Sequence, residues 1–172
     1  MELIDTIRKR RSIRRYTDDT IPEETLDRIL RAGLLAPTSR GLKPCEFYVV
    51  KDKNVLEKLS RAKKAGAGML SGCHAAVVVL GDSEKADTWV EDCSIALSFM
   101  MLSAVEQGIG NCWVQIHLRS DANGRDAEQN VREILSVPQK YRVAGILSLG
   151  IPAEHPELHT MEEADLRRVH TI

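Results

Sequence analysis

The chain has 172 residues, with 24 Lys and Arg against 25 Asp and Glu and a formal charge of −1. That length suits one domain whose core needs neither disulfides nor metal, and the near-neutral balance argues against generic, charge-driven binding to nucleic acid or anionic membrane. The composition, 43% hydrophobic and 28% charged, is that of a folded domain, and no apolar run reaches the ~18 residues of a membrane-spanning helix.

Leu3, Ile4 and Ile7 share one face of a helix expected over residues 2–11. A turn follows at Tyr16-Thr17-Asp18-Asp19. Thr20-Ile21-Pro22-Glu23 reads as a helix start, with Thr20 as the cap and Glu23 reaching back to it. Leu26, Ile29, Leu30 and Leu34 then form an apolar stripe. Residues 36–44, Ala-Pro-Thr-Ser-Arg-Gly-Leu-Lys-Pro, form an irregular loop. A strand is expected over 46–51, then a short helix capped by Asp52 and carrying Leu56 and Leu59. The small, Gly-rich residues 64–72 read as a mobile loop. The continuous apolar run 75–80 has the character of a strand buried on both faces. Residues 88–107 form the longest expected helix, apolar almost all round, which places it in a core or across a subunit interface. Gly108 and Gly110 end it. Strands are expected over 112–116 and 143–149, with an amphipathic helix over 125–135 between them. The last twenty residues are polar without a core face. No linker or repeat divides the chain, so residues 1–172 read as one α+β or α/β domain with one sheet covered by helices.

The N-terminal MELIDTIRKR contains no signal-peptide apolar stretch, so a cytoplasmic home is the expectation. Cys45, Cys73, Cys93 and Cys112 include no C-x-x-C pair. They read as reduced, buried thiols, with neither a zinc site nor a redox dithiol indicated. Aromatic residues, 4% of the chain, supply little material for stacking bases.

Three constellations stand out. Six of the eight residues in Arg8-Lys9-Arg10-Arg11-Ser12-Ile13-Arg14-Arg15 are basic. Guanidinium forks and a Ser hydroxyl match phosphate oxygens, but a solvated face or a nucleic-acid patch has the same composition. Pro37-Thr38-Ser39 is either a polar turn or a pair of hydroxyls offered to a ligand. Gly108-Ile109-Gly110 leaves a helix and enters a strand, the reverse of a dinucleotide-binding fingerprint. No Ser-His-Asp order, H-E-x-x-H or Walker loop is present, so any redox or transfer chemistry must come from a cofactor.

Taken in order, Arg-Arg-Ser-Ile-Arg-Arg-Tyr at 10–16, Ala-Pro-Thr-Ser-Arg-Gly-Leu-Lys-Pro at 36–44, Gly-Ile-Gly-Asn-Cys-Trp at 108–113 and Leu-Gly-Ile-Pro-Ala-Glu at 149–154 resemble the nitroreductase family of FMN-dependent NAD(P)H oxidoreductases. The resemblance runs from about residue 3 to 155 and is to compact members of that family. It implies an α+β, three-layer fold with a central mixed β-sheet flanked by helices, and an interlocked homodimer holding two FMN molecules at its interface. The tail, about 153–172, is then expected to pack on the partner subunit. Arg10 and Ser12 match positions that hold the FMN phosphate, with Arg11 beside them. Arg14 matches a cation near the pyrimidine edge of the flavin, where it would stabilise charge gained on reduction. Pro37, Thr38 and Ser39 match a loop that reaches the flavin of the other subunit, and Gln115, Ile116 and His117 a strand end whose backbone lies beside N5. In the tail, Met161 falls where many relatives carry a basic residue, and Arg167 and Arg168 are the candidate substitutes. No side chain is assigned as catalytic. The implied activity is transfer of electrons from NADH or NADPH to a nitroaromatic, quinone or flavin by a ping-pong reaction. The rival readings are a flavin protein of this fold with another role (flavin degradation, dehalogenation, redox sensing) and a basic-patch nucleic-acid binder.

Overall fold

The apolar run at residues 75–80 lies at the centre of the molecule. In the computed structural model, which describes residues 2–172, it belongs to β2 (Ala75–Asp82), buried at every position. β2 is sandwiched between β1 (Cys45–Val50) and β4 (Tyr141–Gly150), and β3 (Gly110–Gln115) lies outside β4, giving the order β1-β2-β4-β3. Every neighbouring pair of strands is antiparallel, which corrects the expectation of a mixed sheet. No helix carries the chain across the sheet between β1 and β2. Instead the helix after β1, α3 (Lys53–Ser60), packs against a 3₁₀ turn at Gly68–Gly72. The chain thus folds back outside the sheet and enters β2 from the end it left. The one parallel pairing among the described residues is an isolated bridge between Ser12 and Asn111.

Alternation along β2 and β4 feeds two cores. Val77, Val79, Leu147 and Leu149 face α2 (Glu23–Leu34) and α4 (Trp89–Glu106), meeting Leu26, Ile29, Leu97 and Met100. Ala76, Val78, Leu80 and Ile146 face the other way, onto Leu56 and Leu59 of α3, Leu70, and Val131 of α5 (Ala127–Leu135). The result is the expected three layers. Each fully buried Leu or Ile here contributes roughly 1.5–3 kcal/mol of transfer free energy.

Local expectations meet several corrections. The cap of α2 is Pro22, with no side-chain capping bond, so Thr20 lies outside the helix; Ile21 is buried instead. Residues 64–72 are not a free loop, because Ala67 and Leu70 are buried beneath α3. Asp52 does cap α3, accepting from the Asn54 and Val55 N–H groups. α4 buries one face, Cys93, Ala96, Leu97, Met100 and Ala104, and leaves Ile95 and Phe99 exposed at 36% and 41%. The short α1 (Leu3–Lys9), which packs near α4, exposes Leu3, Ile4 and Ile7. The tail follows the chain's own N-terminal segment: Ala153 N–H donates to Arg15 O, and His159 N–H to Arg8 O.

The basic segment is strapped across the end of the sheet by a cross-strand pair of glycines. Gly110 and Gly150 face each other in the β3–β4 register. A Cβ on Gly110 would lie 2.9 Å from Ile13 Cγ2, and one on Gly150 would lie 2.6 Å from Tyr16 Cδ1. The missing side chains are the seats for Ile13 and Tyr16. The Tyr16 hydroxyl is 2.6 Å from Ile13 O and 2.7 Å from Ser148 Oγ, and Thr17 N–H donates to Ile151 O. We expect Gly150→Ala to destabilise the protein by about 1–3 kcal/mol through overpacking against the Tyr16 ring, read as a lower urea midpoint; an unchanged midpoint would show that the seat is not tight.

A buried acid ties α5 to β4. Glu128, 2% exposed, accepts from Arg142 Nε at 2.8 Å, Arg142 Nη2 at 2.9 Å and Val143 N–H at 3.2 Å, and lies 2.6 Å from His117 Nδ1. Burial pushes the Glu128 carboxyl up, but Arg142, His117 and the Val143 N–H together hold it below its ordinary value. Its contribution to stability is therefore fully present above the unfolded value of roughly 4.3 and lost as pH falls through the lower folded value. Glu128→Ala should cost about 3 kcal/mol, the lower end for breaking a buried pair, because Arg142 is half-exposed and regains water. Urea titrations of both proteins at pH 7 and at pH 3 should show this difference shrinking in acid.

Candidate functional site

The strap places four of the sequence-predicted residues together. Arg10, Arg11, Ser12 and Arg14 line one shallow cleft with Glu154, Pro156 and His159. Arg10 is the C-cap of α1, so its side chain leaves the helix at the point where the chain turns towards β3. Arg10 is half-buried, and its guanidinium makes no hydrogen bond or ion pair among the described residues. Arg14 Nη1 reaches only Ser12 O, at 3.4 Å, and Arg11 donates to Glu157 O. Glu154 is already occupied: Oε1 accepts from Arg14 N–H at 2.6 Å, and Oε2 accepts from Arg15 Nε at 3.0 Å. Those donors hold its carboxyl below the usual range. Glu154 therefore fixes the backbone of 14–15, and the cleft keeps guanidinium and hydroxyl donors for an incoming oxyanion. The donor set fits a phosphate monoester.

The loop at 37–39 lies elsewhere. Ser39 opens a short 3₁₀ turn, Ser39–Gly41, in which Arg40 and Gly41 have φ of 54° and 66°. Ser39 N–H donates to Asp92 Oδ1 at 2.9 Å, and Thr88 Oγ1 donates to Asp92 Oδ2 at 3.3 Å. Thr38 Oγ1 accepts from Lys43 N–H at 3.0 Å, while Pro37 is exposed. Asp92, 2% exposed, sits in the first turn of α4, whereas Arg11 and Ile13 line a cleft together with Val105 and Gly108 at its other end. Thirteen helical steps separate Asp92 from Val105, about 20 Å. Within one chain the loop and the cleft do not meet.

The strand end forms a third cluster. Gln115 is fixed on both sides: its Oε1 accepts from Trp113 Nε1 at 3.0 Å, and its Nε2 donates to His117 O at 3.0 Å. Its backbone oxygen accepts from Lys63 Nζ at 3.0 Å. Ile116 is wholly buried, so only its backbone is available to a ligand. His117 packs edge-on against Trp89, ring centroids 4.9 Å apart, and is clamped by Glu128. Beside this strand end, Lys63, Lys64, Arg119 and Ser120 line a second cleft without a carboxylate. Burial and the neighbouring Arg119 push the Lys63 ammonium below its ordinary value. Arg167 is bound to Asp165 and Arg168 is exposed; neither lines the first cleft. Met161, 52% exposed, also lies outside it.

Sequence reasoning missed Tyr16, Asp92, Lys63 and Glu128, the groups that hold these clusters in place. Asp92 had a visible signal, a carboxylate in the first turn of a largely apolar helix, and Tyr16 closes the segment 10–16; Lys63 and Glu128 had none. Among the described residues no group of His, Cys, Asp and Glu could hold a metal ion, and no helix is long and apolar enough to cross a membrane.

Comparison with known proteins places the chain in a family. The model of the nitroreductase family matches residues 7–67 and 62–151. A protein of Archaeoglobus fulgidus, provisionally named NADH dehydrogenase/NAD(P)H nitroreductase, is 36% identical over 94% of this chain and 92% of its own. The structure of an FMN-dependent nitroreductase from Clostridium difficile R20291 superposes with a TM-score of 0.95 at 44% identity, covering 98% of both chains. A more distant nitroreductase-like structure from Desulfovibrio desulfuricans, solved with FMN, shares the fold at 23% identity, with a TM-score of 0.77 over 99% of both chains. The strapped basic segment, the loop on Asp92 and the fixed strand end are thus features of a chain that belongs to the nitroreductase family of oxidoreductases.

Proposed function

We propose that the protein is an FMN-dependent oxidoreductase that passes electrons from NADH or NADPH to an electron-poor acceptor, a nitroaromatic, quinone or flavin, in a ping-pong reaction. The observation that carries this reading is the unpartnered Arg10 guanidinium in a cleft it shares with Arg11, Ser12 and Arg14. A half-buried cation without a counter-charge is costly unless a ligand supplies one. When bound, FMN supplies the redox chemistry, accepting hydride from the nicotinamide and delivering electrons onward.

In this reading Arg10, Arg11 and Ser12 bind the phosphate. Arg14, held through its backbone by Glu154, places a positive charge where reduction puts a negative one. The strand end 115–117 presents backbone groups that cannot shift, because Trp113, Lys63 and Glu128 hold them. Lys63, Lys64 and Arg119 add a positive field beside it that draws a polyanionic nicotinamide co-substrate. No side chain is required as acid or base.

Pro37, Thr38 and Ser39 complete the site only from a second copy, since about 20 Å of α4 separates them from the cleft in one chain. The exposed Ile95 and Phe99 of α4, together with the apolar face of α1, give that copy a surface to cover. The tail, docked along residues 8–15 of its own chain through residue 159, still exposes Leu166, Val169 and Ile172, which a partner subunit would bury.

The purified protein should be yellow and should release FMN, not FAD, on acid treatment. Arg10→Ala should weaken FMN more than riboflavin, by about 1.5–3 kcal/mol for a lost charge-assisted bond. Arg14→Ala should in addition lower the flavin reduction potential. Equal losses for FMN and riboflavin would remove Arg10 from the phosphate site. If the segment served nucleic acid instead, both changes would spare FMN and weaken a short duplex in a salt-dependent way. Intact FMN with very slow NADH and NADPH turnover would favour another flavin role.

Sedimentation equilibrium should return twice the 19.2 kDa of the monomer. A monomer that binds FMN at full affinity would contradict the shared site.

A further inference from the structure

Two of the four free cysteines, 48 positions apart in the chain, lie in contact. Cys45 opens β1, and its register partner across the sheet is Gly81 of β2. Cys93 comes from the second turn of α4. A Cβ on Gly81 would lie 3.1 Å from Cys93 Sγ, so the bare glycine lets this sulfur settle on the strand beside Cys45. The two Sγ atoms are 3.6 Å apart. Cys73 and Cys112 are different: each is buried with its sulfur on a backbone oxygen, Leu70 O and Trp113 O respectively, and neither has a sulfur neighbour among the described residues.

We propose that Cys45 and Cys93 are a redox-active thiol pair, oxidised by a hydroperoxide to an intramolecular disulfide that cross-links β1 to α4. Cys45 is the attacking sulfur. It is half-buried and lines a cavity of about 60 Å³ with Gly33, Thr38, Phe47 and Ala96, room for a small peroxide where a single water needs roughly 10–15 Å³ on the same measure. Cys93 is fully buried behind it. The contact also makes the two sulfurs unequal: the Cys93 thiol hydrogen-bonds to Cys45 and lowers its pKa, while the same contact and burial raise that of Cys93. The thiolate, the reactive form, is thus favoured on the accessible member.

The Cys45 thiolate attacks one peroxide oxygen. The S–O bond forms as the O–O bond breaks, and the alcohol or water leaves with a proton, giving a sulfenic acid. The Cys93 sulfur then attacks Cys45 Sγ. The S–S bond forms, the S–O bond breaks, and the departing hydroxide takes the Cys93 proton and leaves as water. Two electrons pass from the thiol pair to one peroxide. Closing the contact to the roughly 2.05 Å of a disulfide needs a shift of about 1.5 Å. The pair is adjacent to the loop the proposed site depends on, since Asp92, next to Cys93, holds Ser39 and Thr38 shares the cavity with Cys45.

The test uses the whole chain and hydrogen peroxide, and reads sulfur chemistry rather than turnover, so it stands apart from the flavin reading. After treatment, blocking of free thiols and digestion, a peptide joining Cys45 to Cys93, lighter by two hydrogens and split by a phosphine reductant, is expected. Cys93→Ser should instead leave a sulfenic acid at Cys45 that a dimedone probe traps, and Cys112→Ser should still form the cross-link. Absence of the Cys45–Cys93 peptide from oxidised wild-type protein overturns the proposal. So does oxidation that begins at Cys73 or Cys112, or a disulfide found only between chains.

Discussion

The candidate site depends on one steric fact: two glycines facing each other at the end of the sheet leave room for Ile13 and Tyr16. A run of arginines has no reason of its own to hold a shape, because like charges repel and long side chains lose entropy when fixed. Here the apolar residues interleaved among the arginines do the holding. Ile13 enters the gap at Gly110 and Tyr16 the gap at Gly150. The Tyr16 hydroxyl closes onto Ser148 and Ile13 O, and burial pushes that phenol well above its ordinary pKa. Alternation then turns Ser12 and Arg14 to the outside. The glycines of the Gly-Ile-Gly and Leu-Gly-Ile-Pro segments therefore have a steric role. They seat the segment that presents the donors.

α4 imposes the second constraint. It has a carboxylate in its first turn that holds the loop at 37–39, and its last turn borders the strapped segment. A straight helix of this length cannot bring both ends to one ligand. One of its faces fills the core, while Ile95 and Phe99 on another remain in solvent. The nearly all-apolar character of this helix, plain from its residues alone, thus serves the core on one side and leaves Ile95 and Phe99 uncovered on another.

The elements are legible in the sequence where hydrophobic period and length agree. α4, β2, β4, α3 with its Asp52 cap, and the amphipathic α5 follow from local pattern. What local pattern misses is set by distant parts of the chain. Thr20 has the chemistry of a cap, yet Ile21 is drawn into the core against α2 and the helix starts after Pro22. Residues 64–72 have loop composition, yet Leu70 fills a hole beneath α3. Strand direction escapes a local reading because the return of α3 onto the Gly68–Gly72 turn is a tertiary contact. Within the site, the basic cluster and the loop hydroxyls are legible as residue types. Their supports are less so: Lys63 and Glu128 carry no local mark, and the roles of Tyr16 and Asp92 show only once their partners are known.

The balance of charge obeys the same rule. A total near zero excludes a generic polyanion binder, but it does not describe where the charges meet. Most of the exposed ion pairs join residues close in sequence or on facing surfaces, such as Arg28 with Glu24 and Arg61 with Glu57; their worth is small. Around the first cleft the acids are used differently. Glu154 commits its oxygens to the backbone of 14–15 and to Arg15, leaving Arg10 unmatched. Around the second cleft Lys63 is held by a carbonyl oxygen and pressed by Arg119. Arg10 and Lys63 are both half-buried and both lack an acid, although acids are plentiful in the chain. Withholding a counter-charge from a partly desolvated cation lowers stability, and it leaves that energy available to an anion that binds. The number of arginines in residues 8–15 is therefore a weaker sign of function than the Arg10 guanidinium, which finds no partner among the described residues.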